Sequence, residues 1–128
     1  MDELKPGMRL EFIRAFSAEE VLWFAALTGD RGTHHVEPDQ KGRLMLHGLL
    51  TATLPTKLGG DLNFIAQDMH FEFLRPAYAG DALTCIGVID SVSPEPARQI
   101  VRFTFTITNP KGKSVLRGSS SGVIRRAA

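Results

Sequence analysis

The sequence predicts an α+β domain in which an antiparallel sheet of about five strands curls around a buried helix. The stretch at 44–58 (LMLHGLLTATLPTKL) is apolar nearly all round and closes at Gly59-Gly60, as is typical of a helix buried on most sides. Four extended segments follow it, and alternation between apolar and polar residues is clearest in the third of them. A helix without a polar face must be wrapped, and a curved sheet is the smallest structure that does so.

The N-terminal part is predicted to form a strand and then a helix. Residues 8–16 (MRLEFIRAF) alternate, though imperfectly, which indicates the strand. Ser17 and Glu20 have the spacing of a capping box, and Gly29 ends the apolar helical pattern that follows. The next segment, 30–42 (DRGTHHVEPDQKG), has neither a helical nor a strand period and is predicted to be a loop.

The C-terminal half is predicted to form four strands in a meander. We place these strands at 63–74, 82–92, 98–108 and 114–125. In the third strand one face is expected to be apolar, with Val101, Phe103, Phe105 and Ile107. Pro55 is expected near the end of the buried helix, or at a kink within it.

Bulk properties exclude several classes of protein. The 128 residues are expected to form one domain, 1–128, with 43% hydrophobic and 23% charged residues. The net charge is +1 and no basic cluster is present, so the sequence does not indicate a surface that binds nucleic acid or a membrane. The single cysteine, Cys85, is read as a buried, reduced thiol, and the N-terminal residues lack a signal-peptide pattern, so we expect a cytoplasmic protein.

The predicted loop carries the first candidate for catalysis. Asp30 and His35 have four residues between them, and a carboxylate beside an imidazole can hold one water between two proton acceptors. The spacing alone leaves another interpretation open, because Asp after a helix-ending glycine commonly makes a turn and a loop His is commonly solvated.

The second candidate lies at the start of the buried helix, at Leu46-His47-Gly48-Leu49. Backbone N–H groups in a first helical turn have no partner in the helix, and Gly48 lets a substrate carbonyl approach them closely. Such donors stabilise an enolate oxygen. Equally, Gly48 can let the helix pass close to a strand while His47 caps or packs.

Taken in order, four segments resemble the MaoC-like (R)-specific enoyl-CoA hydratases of the hot-dog superfamily. They are FSAEEVLWFAALTGD at 16–30, His35, LHGLLTATL at 46–54 and QDMHFEFLRPAYAGDALT at 67–84. The resemblance covers roughly residues 5–92. It implies a hot-dog fold, a homodimer or higher homo-oligomer, an acyl-CoA or acyl-carrier-protein thioester as substrate, and no metal or other cofactor.

The resemblance also implies site residues. Asp30 and His35 match the catalytic pair of the family, and Gly48 matches the glycine whose N–H holds the thioester oxygen. We add four candidate substrate-binding residues: His47, Thr56, Gln67 and Arg75. The implied reaction is reversible addition of water to a trans-2-enoyl thioester, which gives an (R)-3-hydroxyacyl thioester.

This sequence departs from the family at two points. Gly32-Thr33 replace the Asn-Pro of the family motif, and a second histidine, His34, follows; it is either a surface residue or a substitute for His35. Eleven residues separate His35 from His47, fewer than is usual in the family, which predicts a shorter overhang above a more open acyl pocket.

Three other functions stay open at this point. His34, His35, Glu37 and Asp39 are potential metal ligands, although their spacing matches no closed zinc pattern. Hot-dog proteins include acyl-CoA thioesterases, which attack the carbonyl carbon. A non-catalytic acyl-thioester binder, or an inactive subunit of a heteromeric dehydratase, is the third.

Overall fold

The computed structural model describes residues 4–126, which fold into five strands and four helical segments. The predicted α+β class and hot-dog architecture are confirmed. In chain order the elements are β1 (Arg9–Arg14), α1 (Ala18–Thr28), α2 (Thr33–Val36), α3 (Gly48–Thr51), α4 (Thr53–Asp61), β2 (Ile65–Phe73), β3 (Leu83–Pro94), β4 (Arg98–Thr108) and β5 (Ser114–Arg125).

The five strands form one antiparallel sheet in the order β1-β3-β4-β5-β2. The predicted four-strand meander is therefore wrong for β2, which crosses to the far edge and pairs with β5 instead of β3. Two glycines of β5 accommodate this pairing. A Cβ on Gly118 would lie 2.0 Å from the His70 carbonyl oxygen, and one on Gly122 would lie 2.0 Å from that of Ile65.

Helix α1 begins and ends where the sequence predicts. The Ser17 hydroxyl accepts a hydrogen bond from the Glu20 N–H, and the Glu20 carboxylate accepts one from the Ser17 N–H. Gly29 closes the helix in the left-handed conformation, with φ of 83°. These local bonds satisfy backbone groups that the helix itself leaves unpaired.

The central helix differs from the prediction at both ends and in the middle. Residues 44–47 are extended and form an isolated bridge between Met45 and Tyr78. The helical segments run from Gly48 to Asp61 and are interrupted at Ala52. Because Pro55 has no N–H to donate to the carbonyl four residues earlier, the hydrogen-bond ladder is weakened just before it.

The predicted loop contains one helical turn, α2. The His35 N–H donates to the Gly32 carbonyl and the Glu37 N–H donates to the Thr33 carbonyl, each at 2.8 Å. No hydrophobic period marks this turn, because its four residues are too few to show one.

The core lies between the central helix and one face of the sheet. The predicted apolar face of β4 is confirmed, since its four residues are at most 3% exposed. Leu54 and Leu58 of α4 pack into the same core. Cys85 is buried on β3, and burial raises the pKa of its thiol to about 12. Among residues 4–126 no helix has the length and hydropathy to cross a membrane.

Candidate active site

Asp30 follows the C-terminal end of α1, and its carboxylate lies in solvent. Its side chain is 58% exposed. The Gly32 N–H donates to Oδ1 at 3.2 Å, and the Thr28 hydroxyl accepts from the Asp30 N–H at the same distance. Oδ2 makes neither of these bonds and faces His35.

His35 is held with one ring nitrogen free. Its side chain is 7% exposed, and Nδ1 lies 2.7 Å from the Met45 carbonyl oxygen. A carbonyl can only accept, so Nδ1 carries the proton of the neutral ring and Nε2 presents a lone pair. Nε2 lies 3.9 Å from Asp30 Oδ2. This separation is too long for a direct hydrogen bond, but a water at about 2.8 Å from each atom fits it.

His47 lies beneath this pair. It is 2% exposed, and Nε2 lies 2.9 Å from the Asp30 carbonyl oxygen. Its ring stacks on the His35 ring with centroids 3.8 Å apart and planes 16° apart. Nδ1 is buried without a hydrogen-bond partner among the described residues.

A cavity of about 520 Å³ opens beside His35. Gly48 lines it, and as the first residue of α3 its N–H has no acceptor within the helix. A Cβ on Gly48 would lie 2.8 Å from Cε1 of Phe73, so this ring packs directly on the glycine. The remaining wall is mostly apolar and comes from His34, Met45, Leu46, Thr51, Leu74, Arg75, Pro76, Ala77 and Val115.

The four candidate substrate-binding residues are not all brought to this cavity. Arg75 lines it, with Nη1 donating to the Ser114 carbonyl at 2.7 Å. His47 lies under the cavity and not in its wall. Thr56 is exposed on α4, with its hydroxyl bonded to the Thr53 carbonyl, and Gln67 is exposed at a bulge of β2. A residue's place on a helix or strand does not fix its distance from a loop, so sequence alone did not separate these positions.

His34 is exposed, yet it lines the cavity and its ring lies 3.9 Å from the His35 ring centroid. Its exposure agrees with a surface residue, and its place in the cavity wall agrees with a substitute for His35, so both interpretations stay open. The tilt of 58° between the rings shows contact without stacking.

Among the described residues, the potential metal ligands that lie close together differ from those that the sequence analysis named. Ligand atoms of Asp30, His35 and His47 lie within 4.8 Å of one another. Imidazole lone pairs lie in the ring plane, so two parallel stacked rings do not direct them to one ion. Asp39, considered earlier, instead binds Arg43, whose backbone N–H bond above all lowers the pKa of that carboxyl.

Sequence reasoning missed two features of the site. The Met45 carbonyl sets the tautomer of His35, and a backbone group leaves no trace in residue identity. The Phe73 ring covers Gly48. The aromatic pattern FEF of β2 was visible, but the fold was needed to place it over the helix.

Comparison with solved structures identifies the fold. The chain is similar to an (R)-hydratase from A. caviae involved in PHA biosynthesis, with 25% identity, a TM-score of 0.83, and coverage of 95% of this chain and 98% of the other. A MaoC-like dehydratase from Rhodospirillum rubrum matches with 21% identity and a TM-score of 0.78, covering 98% and 95%. The HadBC (3R-hydroxyacyl-ACP dehydratase) complex from Mycobacterium tuberculosis matches with 19% identity and a TM-score of 0.75, covering 93% and 96%.

No protein-family model and no curated protein sequence matched this chain. The structural likeness nevertheless confirms the predicted resemblance to the MaoC-like (R)-hydratases. The solved structures that this chain resembles thus include hydratases and dehydratases of the hot-dog fold. Within that class, the MaoC-like group is the one that this chain resembles.

Proposed function

We propose that this protein is a hydro-lyase that reversibly adds water to trans-2-enoyl thioesters to give (R)-3-hydroxyacyl thioesters. The observation that carries the proposal is the 3.9 Å separation of Asp30 Oδ2 and His35 Nε2, next to a cavity lined by Gly48. Both atoms are free to contact one water, and the cavity gives an acyl thioester room beside it.

In the proposed reaction Asp30 and His35 hold the same water. As its oxygen bonds to the β-carbon, a proton leaves the water for Asp30, and the double-bond electrons move toward the thioester carbonyl. The resulting enolate then takes that same proton at the α-carbon, passed from Asp30 with the help of His35, so one water has added across the double bond and both side chains are back in their starting state. Two positioned proton-transfer groups of this kind typically contribute 10²- to 10⁴-fold each.

The enolate oxygen is placed at the N–H of Gly48. This N–H is at the N-terminus of the central helix, where the helix dipole also favours negative charge. The Phe73 ring packs beside this position, so part of the surroundings of the hydrogen bond is apolar, which strengthens it.

We place the carrier of the acyl group near Arg75. One guanidinium nitrogen is bonded to the Ser114 carbonyl, which fixes the group while its other N–H donors remain available for phosphate. Coenzyme A and the prosthetic group of an acyl carrier protein both offer phosphate. The proposed compartment is the cytoplasm, where a lone thiol such as Cys85 stays reduced.

We further propose that the protein is a homodimer that associates through the edge strand β2. Three apolar side chains of this strand are left uncovered: Ile65 is 41% exposed, Met69 is 41% exposed and Phe73 is 53% exposed. A sheet edge with apolar side chains is a natural surface for pairing with another strand.

The test of the reaction is a crotonyl-CoA assay that follows loss of the conjugated enoyl absorbance and release of free thiol together. Hydration removes the conjugation and releases no thiol. We expect Asp30→Asn and His35→Ala each to lower kcat by roughly 10²- to 10⁴-fold. Asp90→Asn is the matched control, because Asp90 is exposed on β3 away from the cavity, and it should keep wild-type activity.

The same assay separates the alternatives. Thiol release from the wild type would identify a thioesterase, and binding with neither signal would identify a non-catalytic binder. Full hydration activity in both Asp30→Asn and His35→Ala would show that the site has been assigned to the wrong residues.

A further inference from the structure

His47 is a buried polar side chain whose role neither packing nor helix capping explains. It precedes the first residue of α3, but its side chain makes no capping hydrogen bond. It is 2% exposed, and Nδ1 has no partner among residues 4–126. Burying an imidazole nitrogen without a partner costs free energy, so an apolar residue would serve packing better.

One nitrogen of His47 holds the backbone of Asp30. Nε2 lies 2.9 Å from the Asp30 carbonyl oxygen, and since a carbonyl only accepts, Nε2 carries the proton. The other bonds of Asp30, to Thr28 and Gly32, lie within the same short segment. The His47 bond therefore ties Asp30 to the central helix, 17 residues along the chain.

The face of the same ring holds His35. The two rings stack at 3.8 Å with an angle of 16°. The Met45 carbonyl fixes where His35 Nδ1 lies, and the stack fixes the plane of the ring. Together they determine the direction of Nε2, which is the atom that faces Asp30.

His47 is itself held from behind. The Phe24 ring meets it edge to face, with centroids 4.8 Å apart. The bond from Nε2–H to the Asp30 carbonyl selects one tautomer of the neutral ring, with its lone pair at Nδ1, while the ring supports both neighbours.

We infer that His47 is a positioning residue, which through one hydrogen bond and one stacked face keeps Asp30 and His35 at the spacing that a shared water needs. This inference rests on the proposed function. It gives His47 a role outside the substrate pocket, unlike the direct substrate contact expected from sequence.

Two substitutions separate the hydrogen bond from the ring. His47→Phe keeps a flat ring but removes the donor to Asp30, and we expect kcat to fall roughly 10²-fold, as misplacing a catalytic group by about 1 Å can cause, while KM stays within about twofold. His47→Gln places an amide N–H near the position of Nε2 but removes the ring that stacks on His35, so we expect it to keep the bond to Asp30 and still to lower kcat. Ile89→Val, a core change away from the cavity, is the stability control and should keep wild-type kcat.

The outcomes are distinguishable from failure of the proposed function. A wild type that hydrates no enoyl thioester contradicts the proposed function. Wild-type kcat in His47→Phe overturns the role of the hydrogen bond to Asp30, and wild-type kcat in His47→Gln overturns the role of the face stacked on His35.

The positioning role of His47 can also be tested by measurements that do not depend on catalytic activity. In ¹⁵N spectra of the wild type at neutral pH, we expect His47 to be protonated at Nε2 and not at Nδ1. Backbone amides of residues 30–35 should exchange faster in His47→Phe than in His47→Gln. The opposite tautomer, or unchanged exchange in His47→Phe, overturns the inference whether or not the protein is active.

Discussion

The backbone of Gly48 and the ring of Phe73 meet in the cavity wall, and this contact decides how much room a thioester oxygen has. A Cβ at position 48 would come within 2.8 Å of Cε1 of Phe73 and 3.1 Å of Cζ. Both distances are below ordinary van der Waals contact, so the ring has to move if the glycine gains a side chain. Phe73 is 53% exposed and can rotate outward.

We therefore predict that Gly48→Ala folds but lowers kcat/KM for crotonyl-CoA by roughly 10²-fold, the loss expected when a Cβ keeps the thioester oxygen away from one oxyanion donor. Steady-state kinetics with crotonyl-CoA measure this change in kcat/KM. Gly60→Ala is the matched control, because a Cβ there meets nothing within 4 Å, and it should behave as wild type. Unchanged kinetics in Gly48→Ala would argue against an enolate oxygen at this N–H.

At the scale of the element, the α1 N-terminus shows how a local motif fixes a boundary. The backbone N–H of Ser17, bonded to the Glu20 carboxylate, is the main cause that lowers the pKa of Glu20, and Arg14 adds to it. A lowered pKa in the folded state means that the carboxylate stabilises the fold at pH above its ordinary value near 4.5. That contribution is lost as the pH falls through the lowered pKa.

We predict that Ser17→Ala lowers the free energy of unfolding by about 1 kcal/mol at neutral pH, the usual effect of losing an N-cap. We also predict that Glu20→Gln lowers stability at neutral pH and loses less of it than the wild type as the solution is acidified below about pH 4.5. Urea unfolding across this range measures both. Glu19→Gln is the control, since Glu19 is exposed in the same turn; an equal acid response in the two Gln variants would contradict the prediction.

Strand β2 shows what an element cannot specify alone. Its sequence favours an extended conformation, but the glycines that admit it to the sheet, Gly118 and Gly122, belong to β5. The strand with which β2 pairs is therefore decided by glycines that lie about fifty residues later in the chain. The orientation of the His35 ring on α2 likewise involves a distant group, the Met45 carbonyl.

At the scale of the whole molecule, the uncovered apolar side chains of β2 lie at one edge of the sheet. If two copies associate there, a charge placed among these side chains should separate them. Burying an unpaired charge in an interface costs several kcal/mol. Met69 is suited to the test because it lies in the middle of the strand and is 41% exposed.

We predict that the wild type sediments as a dimer and that Met69→Lys shifts it to a monomer with the fold retained. Analytical ultracentrifugation measures the mass, and far-UV circular dichroism the fold. Thr106→Lys adds the same charge at an exposed position of the central strand β4 and should remain dimeric. A monomeric wild type, or a dimeric Met69→Lys, would contradict association through β2.

The sequence by itself determined the elements whose signals are local. The Ser17 and Gly29 caps fixed α1, because the bonds that end a helix join residues within one turn. The alternation in β4 fixed its buried face, because side chains of a strand point to opposite sides in turn. Asp30, His35 and Gly48 were likewise predicted as candidates from sequence, by their spacing and by resemblance.

The tertiary structure alone decided what depends on groups distant in the chain. It set the place of β2, the start of the central helix at Gly48 and the burial of His47 under Asp30 and His35. Residue type records what a side chain can donate, accept or pack, but the position of its partner follows only when the chain has folded and buried its core. For that reason the candidate groups of the site were visible in the sequence, and the way in which they are held was not.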